Sequence, residues 1–342
     1  FSMTKAAELA KMGEVLTNSQ IGGRRNIIIN GAMQVAQRGT SASSKNTSDY
    51  FTCDRWRTEA SGATYNTSQQ TNSASDMATT GAEHFLRMEV TTGNNNSGIS
   101  QKIEAQNIKQ FKGEKLTLSF YAKGTNPNGG SFNLRRQFSD SVNPSATAED
   151  TSFTVSSSWT KHTITFDYPN EGSVNLTLNT AKMALSFLQP ESDTSTNAWT
   201  LDLTSVQLEV GSQATPFEHL SFGETLALAQ RYYTVLCEQI DGGGLAICNM
   251  AAYSSSILYG VYNFPTEMRA HPTLEQVTGT NNYRFYRNGG NDYFNQIEID
   301  TDPQNTRNAE LHVDQDLSHT AGHAGWIRSG NENTFVAFDA EF

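Results

Sequence analysis

Long hydrophobic runs are missing from this 342-residue chain, and so is a signal-peptide pattern. The expectation is therefore no membrane insertion. Cysteine is scarce. Cys53, Cys237 and Cys248 form neither a metal-binding spacing nor an even-numbered disulfide framework. They predict free thiols in a protein that folds in a reducing cytoplasm, with a Cys237–Cys248 bridge left open. Charged residues make up only 17% of the chain, and 24 basic against 35 acidic side chains give a formal charge of −11. Such a surface repels phosphate backbones and argues against a nucleic-acid partner. Also missing are a Ser elbow, a paired Cys–His, a phosphate-cradling glycine loop and the carboxylate pairing of glycoside hydrolysis. The expectation is a protein that is not an enzyme. No fixed-period repeat appears, which disfavours a β-helix. No helix long enough to cross over parallel strands intervenes, which disfavours an α/β fold.

What remains is Ser, Thr, Asn and Gly between short apolar alternations, a composition suited to strands joined by polar turns. From residue 26 to about 217 the pattern is nearly all β. In "EKLTLSFYAKG" (114–124), Leu116, Leu118, Phe120 and Ala122 share one face while Thr117, Ser119 and Tyr121 share the other. Similar strands are expected at 83–92, 97–105, 130–139, 159–169, 173–180, 183–190 and 198–211. The stretch "RRNIIINGAMQVAQRGT" (24–40) predicts an opening hairpin at 26–39 about Asn30-Gly31, with Arg24 and Arg25 at its mouth.

Residues 4–16 predict a short helix with Leu9, Met12 and Leu16 on one face, followed by a linker. A second helix is expected at 222–236, where Ser221 and Glu224 resemble a capping box and Leu226, Ala229, Tyr233 and Leu236 form a stripe. From 243 strands return, and the last should hold the chain end in a sheet. The length suffices for two cores. The predicted fold is mainly β: an N-terminal helix, a jelly-roll β-sandwich, a connecting helix and a C-terminal β-sandwich-like domain. The expected segments are 1–23 for attachment or trimerisation, 24–217 for the first module, and 218–342 for the helix and distal β domain.

Three stretches carry a likeness: "GGRRNIIINGAMQVAQRGT", "WTLDLTSVQLEVGSQATPFEHLSFGETLALAQRYY", and "NFPTEMRAHPTL" with "AGHAGWIRSGNENTFVAFDAEF". They resemble bacteriophage tail-fibre proteins, and the first β module is similar to jelly-roll carbohydrate-binding modules. The resemblance implies a homotrimer on the virion, assembled in the host cytoplasm. Its partners would be other tail proteins and a host-surface glycan, lipopolysaccharide or capsule. Alternatives are a trimeric glycan depolymerase with an intersubunit active site and a purely structural virion component.

Sugar binding needs an aromatic face for pyranose C–H groups and fixed polar groups for hydroxyls. Tyr121 is one candidate, because its neighbours Phe120 and Ala122 point to the core. Asn133, Arg135 and Gln137 alternate on one face of "FNLRRQF" and could line a groove. Trp326 and Arg328 in "GWIRSGN" either anchor the last hairpin or face a receptor. Trp56 and Trp199 are expected in the core. Carbohydrate modules of this shape often carry a structural calcium, so the resemblance implies a site at Asp202 with Asn30 from the opening hairpin. The alternative is a solvated Asp202 opposite Leu201 and Leu203. "LHVDQDLSHTAGHAGW" gathers His312, Asp314, Asp316, His319 and His323. A turn between the last two histidines speaks against a zinc-protease arrangement, which leaves a polar loop or one histidine per chain around a threefold axis.

Overall fold

Alternation at period two dominates the computed structural model, which describes residues 24–143, 146–238, 244–300, 305–315, 317–331 and 334–342. The expected helix at 4–16, its linker and Asp316 lie outside these residues. The chain divides into two units, one ending at Thr225 and the other starting at Leu226. That boundary lies inside the connecting helix, where the sequence suggested 217/218.

The N-terminal unit begins with β1 (Ser41–Lys45), β2 (Trp56–Glu59), β3 (Thr64–Thr71), β4 (His84–Thr92) and β5 (Gly98–Glu104). It continues with β6 (Lys115–Thr125), β7 (Phe132–Ser139), β8 (Glu149–Phe153), β9 (Thr160–Asp167), β10 (Lys182–Leu188) and β11 (Trp199–Val210). A six-stranded antiparallel sheet, β1-β3-β4-β11-β6-β9, faces a five-stranded one, β2-β5-β10-β7-β8. The apolar parity of every strand except β1 fills one shared core. Phe187 of β10 is fully enclosed, with the rings of Phe120, Phe153 and Trp56 at 5.0, 6.0 and 6.4 Å. Both tryptophans lie in the core as expected. Each finds an acceptor for its indole N–H: Asn30 O for Trp56 at 2.9 Å, and Gln189 Oε1 for Trp199 at 2.8 Å.

Three expectations fail. Residues 24–40 are not a hairpin but an irregular segment threaded through the buried edge of the sandwich. Two backbone bonds join it to β11, Ile27 N to Leu208 O and Val206 N to Gly31 O, and side chains satisfy much of the rest. Asn26 Oδ1 accepts from Ile28 N, Gln101 Oε1 from Ile29 N, and Asn30 Oδ1 from Val35 N. Residues 173–180 are consecutive turns rather than a strand. There the Asn175 side chain accepts from Thr177 N and Oγ1, competing with any ladder. The connecting helix, α2 following a short α1 (Ala74–Thr80), covers only Phe222–Gln230. Its capping box is real, Glu224 Oε2 accepting from Ser221 N at 2.9 Å and Glu224 N donating to Ser221 Oγ at 3.3 Å. "YYTVL" leaves the helix because its aromatic and β-branched residues pair with the last strand.

The C-terminal unit holds β12 (Tyr233–Glu238), β13 (Ala246–Ala252), β14 (Leu258–Asn263), β15 (Thr273–Gln276) and β16 (Tyr283–Arg287). After these come β17 (Gly290–Phe294), β18 (Glu298–Ile299), β19 (Asn308–Val313), β20 (Ala324–Ser329) and β21 (Phe335–Asp339). A three-stranded sheet, β12-β21-β15, places the final strand in its centre, so the chain end is held in a sheet. A seven-stranded sheet, β17-β16-β20-β13-β14-β19-β18, supplies the other layer. Phe285, Phe294, Leu311 and Ile327 from it pack with Val336 and Phe338 of β21.

Candidate functional site

Two outer faces of the N-terminal sandwich hold the residues expected there, and they look out from opposite sheets. Tyr121 lies half-buried on the six-stranded sheet, between Thr204 and Lys161 in register. Asn133, Arg135 and Gln137 share the outer face of the five-stranded sheet, as the alternation predicts. Tyr121 therefore cannot join them in one groove. Nor is that row open for a ligand. Arg135 grips Asp150 through two bonds of 2.9 Å, donates to Asn96 Oδ1 at 2.8 Å and reaches Glu191 at 3.2 Å. Its hydrogen bonds to Asp150, foremost, and to Glu191 hold the guanidinium more firmly protonated than usual. Asn133 bonds Asp150 and Ser152, and Gln137 donates to Ala146 O. These side chains fasten β7 and its neighbours to one another.

Asp202 and Asn30 are likewise engaged. Asp202 is 1% exposed, and its two oxygens each accept from Arg87, Nε and Nη2, at 2.7 Å. It is therefore not the solvated position opposite Leu201 and Leu203. Asn30 accepts through both its oxygens, from Val35 N and Trp56 Nε1, and no hydrogen bond joins it to Asp202. A cation at either residue would have to displace these bonds. A hollow of about 280 Å³ between residues 26–34 and 217–225 includes Glu218, whose carboxylate accepts from Arg25 N and Asn26 N. It ties two chain segments together.

The C-terminal unit differs. On β16, Tyr283 and Phe285 fill the core, so Arg284 and Tyr286 point outward; on β20, Ile327 points in and Trp326 and Arg328 out. The register aligns Asn291, Tyr286, Trp326 and Asn249 in one row across four strands. The next row holds Tyr293, Arg284, Arg328 and Ala246. Tyr286 and Trp326 lie nearly parallel, 20° apart with centroids at 6.0 Å, and Trp326 is 53% exposed. The Arg328 guanidinium sits 5.4 Å from the Tyr286 ring and 6.0 Å from Trp326, fixed by a 2.8 Å bond from Nε to Gly244 O. An open cleft of about 470 Å³ runs over this row, lined by Asn249, Tyr286, Asn288, Ala324, Gly325 and Trp326.

Gly325 has the inward parity of Ile327, and its missing side chain lets β20 lie close against β16. A Cβ there would lie 2.5 Å from Tyr286 O and 2.6 Å from the Phe285 ring. At one end, Asn288 and Gly289 make the tight turn joining β16 to β17, both with positive φ as that turn requires. The structure thus brings Trp326 and Arg328 together and adds Tyr286, Arg284 and Asn249. The alternation in "YRFYR", whose outward parity is Arg284 and Tyr286, could have revealed two of these.

The histidine-rich stretch scatters. His319 is buried beside Phe285 and Asp292, apart from His312. His312 instead meets Glu298 at 3.1 Å, and both form with Asp314 a cluster whose ligand atoms lie within 4.8 Å of one another. Glu298 already accepts from Gln296 and Gln315. All three cysteines are unbridged.

The architecture defines a protein of paired antiparallel β-sandwiches with an aromatic outer face. No protein-family model matches the chain, and no curated protein matches it. Among solved structures, a CBM4 domain is 22% identical over 37% of this chain and 84% of its own, with a TM-score of 0.27. The enzymatically active domain of bacteriophage CBA120 tailspike protein 4 is 14% identical, covering 54% of this chain and 21% of that one, at a TM-score of 0.34. A family 11 carbohydrate-binding module from a Clostridium thermocellum cellulosomal cellulase is 13% identical over 51% of this chain and 99% of its own, at 0.32. Likeness at this level fixes no ligand.

Proposed function

We propose that this protein is a non-enzymatic saccharide-binding component of a phage tail fibre, with its receptor face on the outer surface of the seven-stranded sheet. The observation that carries the reading is the near-parallel pair of half-buried Tyr286 and exposed Trp326 beside an open cleft. Pyranose rings present apolar C–H faces that such a pair receives, while Asn249, Asn288 and Asn291 around it supply donors and acceptors for hydroxyls. The tail-fibre context rests on the likeness of the three sequence stretches. It brings a homotrimer with it, since one shallow saccharide contact is weak and three linked sites raise avidity roughly a hundredfold or more.

The test is retention of host cells or surface polysaccharide by the full chain, compared with W326A. Trp326 is half exposed, so truncation should change stability by about 1 kcal/mol or less, the value of one aromatic pair. Binding should fall about tenfold or more. Light scattering should give three chains per particle, and incubation with the polysaccharide should release no reducing ends. Undiminished binding by W326A would remove this face from the account.

A further inference from the structure

Beside the aromatic row the sheet carries two arginines in an arrangement that costs stability. Arg284 and Arg328 are register partners on β16 and β20, and like charges directly opposite on neighbouring strands destabilise a sheet. Acidic side chains outnumber basic ones, 35 to 24. Even so, neither arginine pairs with a carboxylate among the described residues. Other arginines do pair: Arg87 holds Asp202, Arg135 holds Asp150 and Glu191, and Arg287 holds Asp292. Arg284 also leaves Nε enclosed without a hydrogen-bond acceptor, a donor whose desolvation is uncompensated.

We propose that this pair receives the negatively charged group of an acidic saccharide whose ring lies on Tyr286 and Trp326. The inference rests on the saccharide reading above and names its ligand class. An anion between the two guanidiniums would relieve their repulsion and satisfy the enclosed donor. Planar forks suit a carboxylate, sulfate or phosphate on a sugar better than a lysine's point charge would. Stacking then selects for a ring, and the charge selects among rings.

The experiment measures binding of the full chain to immobilised oligosaccharides of matched length: a uronate series, its carboxyl-reduced neutral counterpart, and sulfated and phosphorylated series. Wild type should hold at least one anionic series about tenfold tighter than the neutral one, with the advantage shrinking as salt rises. R284Q should lose that preference, while W326A should weaken neutral and anionic binding alike. R284Q should melt no lower than the parent, because it removes a like-charge pair. Equal affinity for neutral and anionic series, or a preference that survives R284Q, would overturn the acidic-ligand inference and leave the saccharide reading standing. A marked drop in melting temperature for R284Q would make the arginine structural and overturn it too. No retention of any series by folded wild type would overturn the saccharide reading itself.

Discussion

Replacing either partner of the Arg87–Asp202 pair should destabilise the N-terminal unit, and by unequal amounts. The two bonds are 2.7 Å each, the Asp202 side chain is 2% exposed and that of Arg87 39%. At an effective dielectric near 20, charges about 4 Å apart attract by roughly 4 kcal/mol, an upper bound before desolvation. R87A strands a buried carboxylate and should cost about 3–4 kcal/mol. D202A strands a guanidinium that water already reaches, so its cost should be nearer 2 kcal/mol. Urea denaturation of both single variants and the double variant gives the coupling, expected at about 1.5–3 kcal/mol, the range for hydrogen bonds between charged groups. A D202A loss equal to or larger than that of R87A, or a coupling below about 0.5 kcal/mol, would refute the reasoning. So would a parent midpoint that drops in EDTA while D202A no longer responds, since that would place a cation on Asp202.

Three further outcomes follow from the packing. The Asp140 carboxylate accepts backbone N–H groups from Asn143, Asn175 and Val142, which pull its pKa from 3.8 down to about 2. Its stabilising share is therefore complete above pH about 4 and lost as pH falls toward about 2; acid titration of D140N should show a shallower decline across that window. Burial pushes the Cys237 thiol up to about 11 and Cys248 up to about 12, and Cys53 is raised as well. Native protein should thus resist a maleimide at neutral pH and expose all three thiols in denaturant; rapid native labelling would contradict the packing. G325A should cost about 1–3 kcal/mol and abolish saccharide retention together, because its Cβ has no room unless β16 and β20 separate. A stable G325A that binds normally would show that the close approach of β16 and β20 is unnecessary.

Much of the sheet order could be anticipated wherever one face is apolar, since period-two alternation in "KLTLSFYA" and "FNLRRQFS" tells inside from outside by itself. Local turn chemistry was equally legible in the Ser221–Glu224 capping box. The alternation failed where side chains took over backbone bonding, as Asn26, Asn30 and Gln101 do for residues 24–40. It failed again in "YYTVL", whose apolar residues fit a helix stripe and a strand equally and were decided by a partner about a hundred residues away.

The candidate face divides the same way. Sequence alone determined that Trp326 and Arg328 share a parity, that Asn133, Arg135 and Gln137 share another, and that the tryptophans at 56 and 199 belong inside. Each of these depends only on a residue and its immediate neighbours. Only the tertiary structure decided that Arg135 and Asp202 are consumed by ion pairs while Arg284 and Arg328 find no carboxylate among the described residues, and that Tyr286 lies alongside Trp326. Those facts depend on register between strands distant in the chain, and register is set by the packing of the whole core.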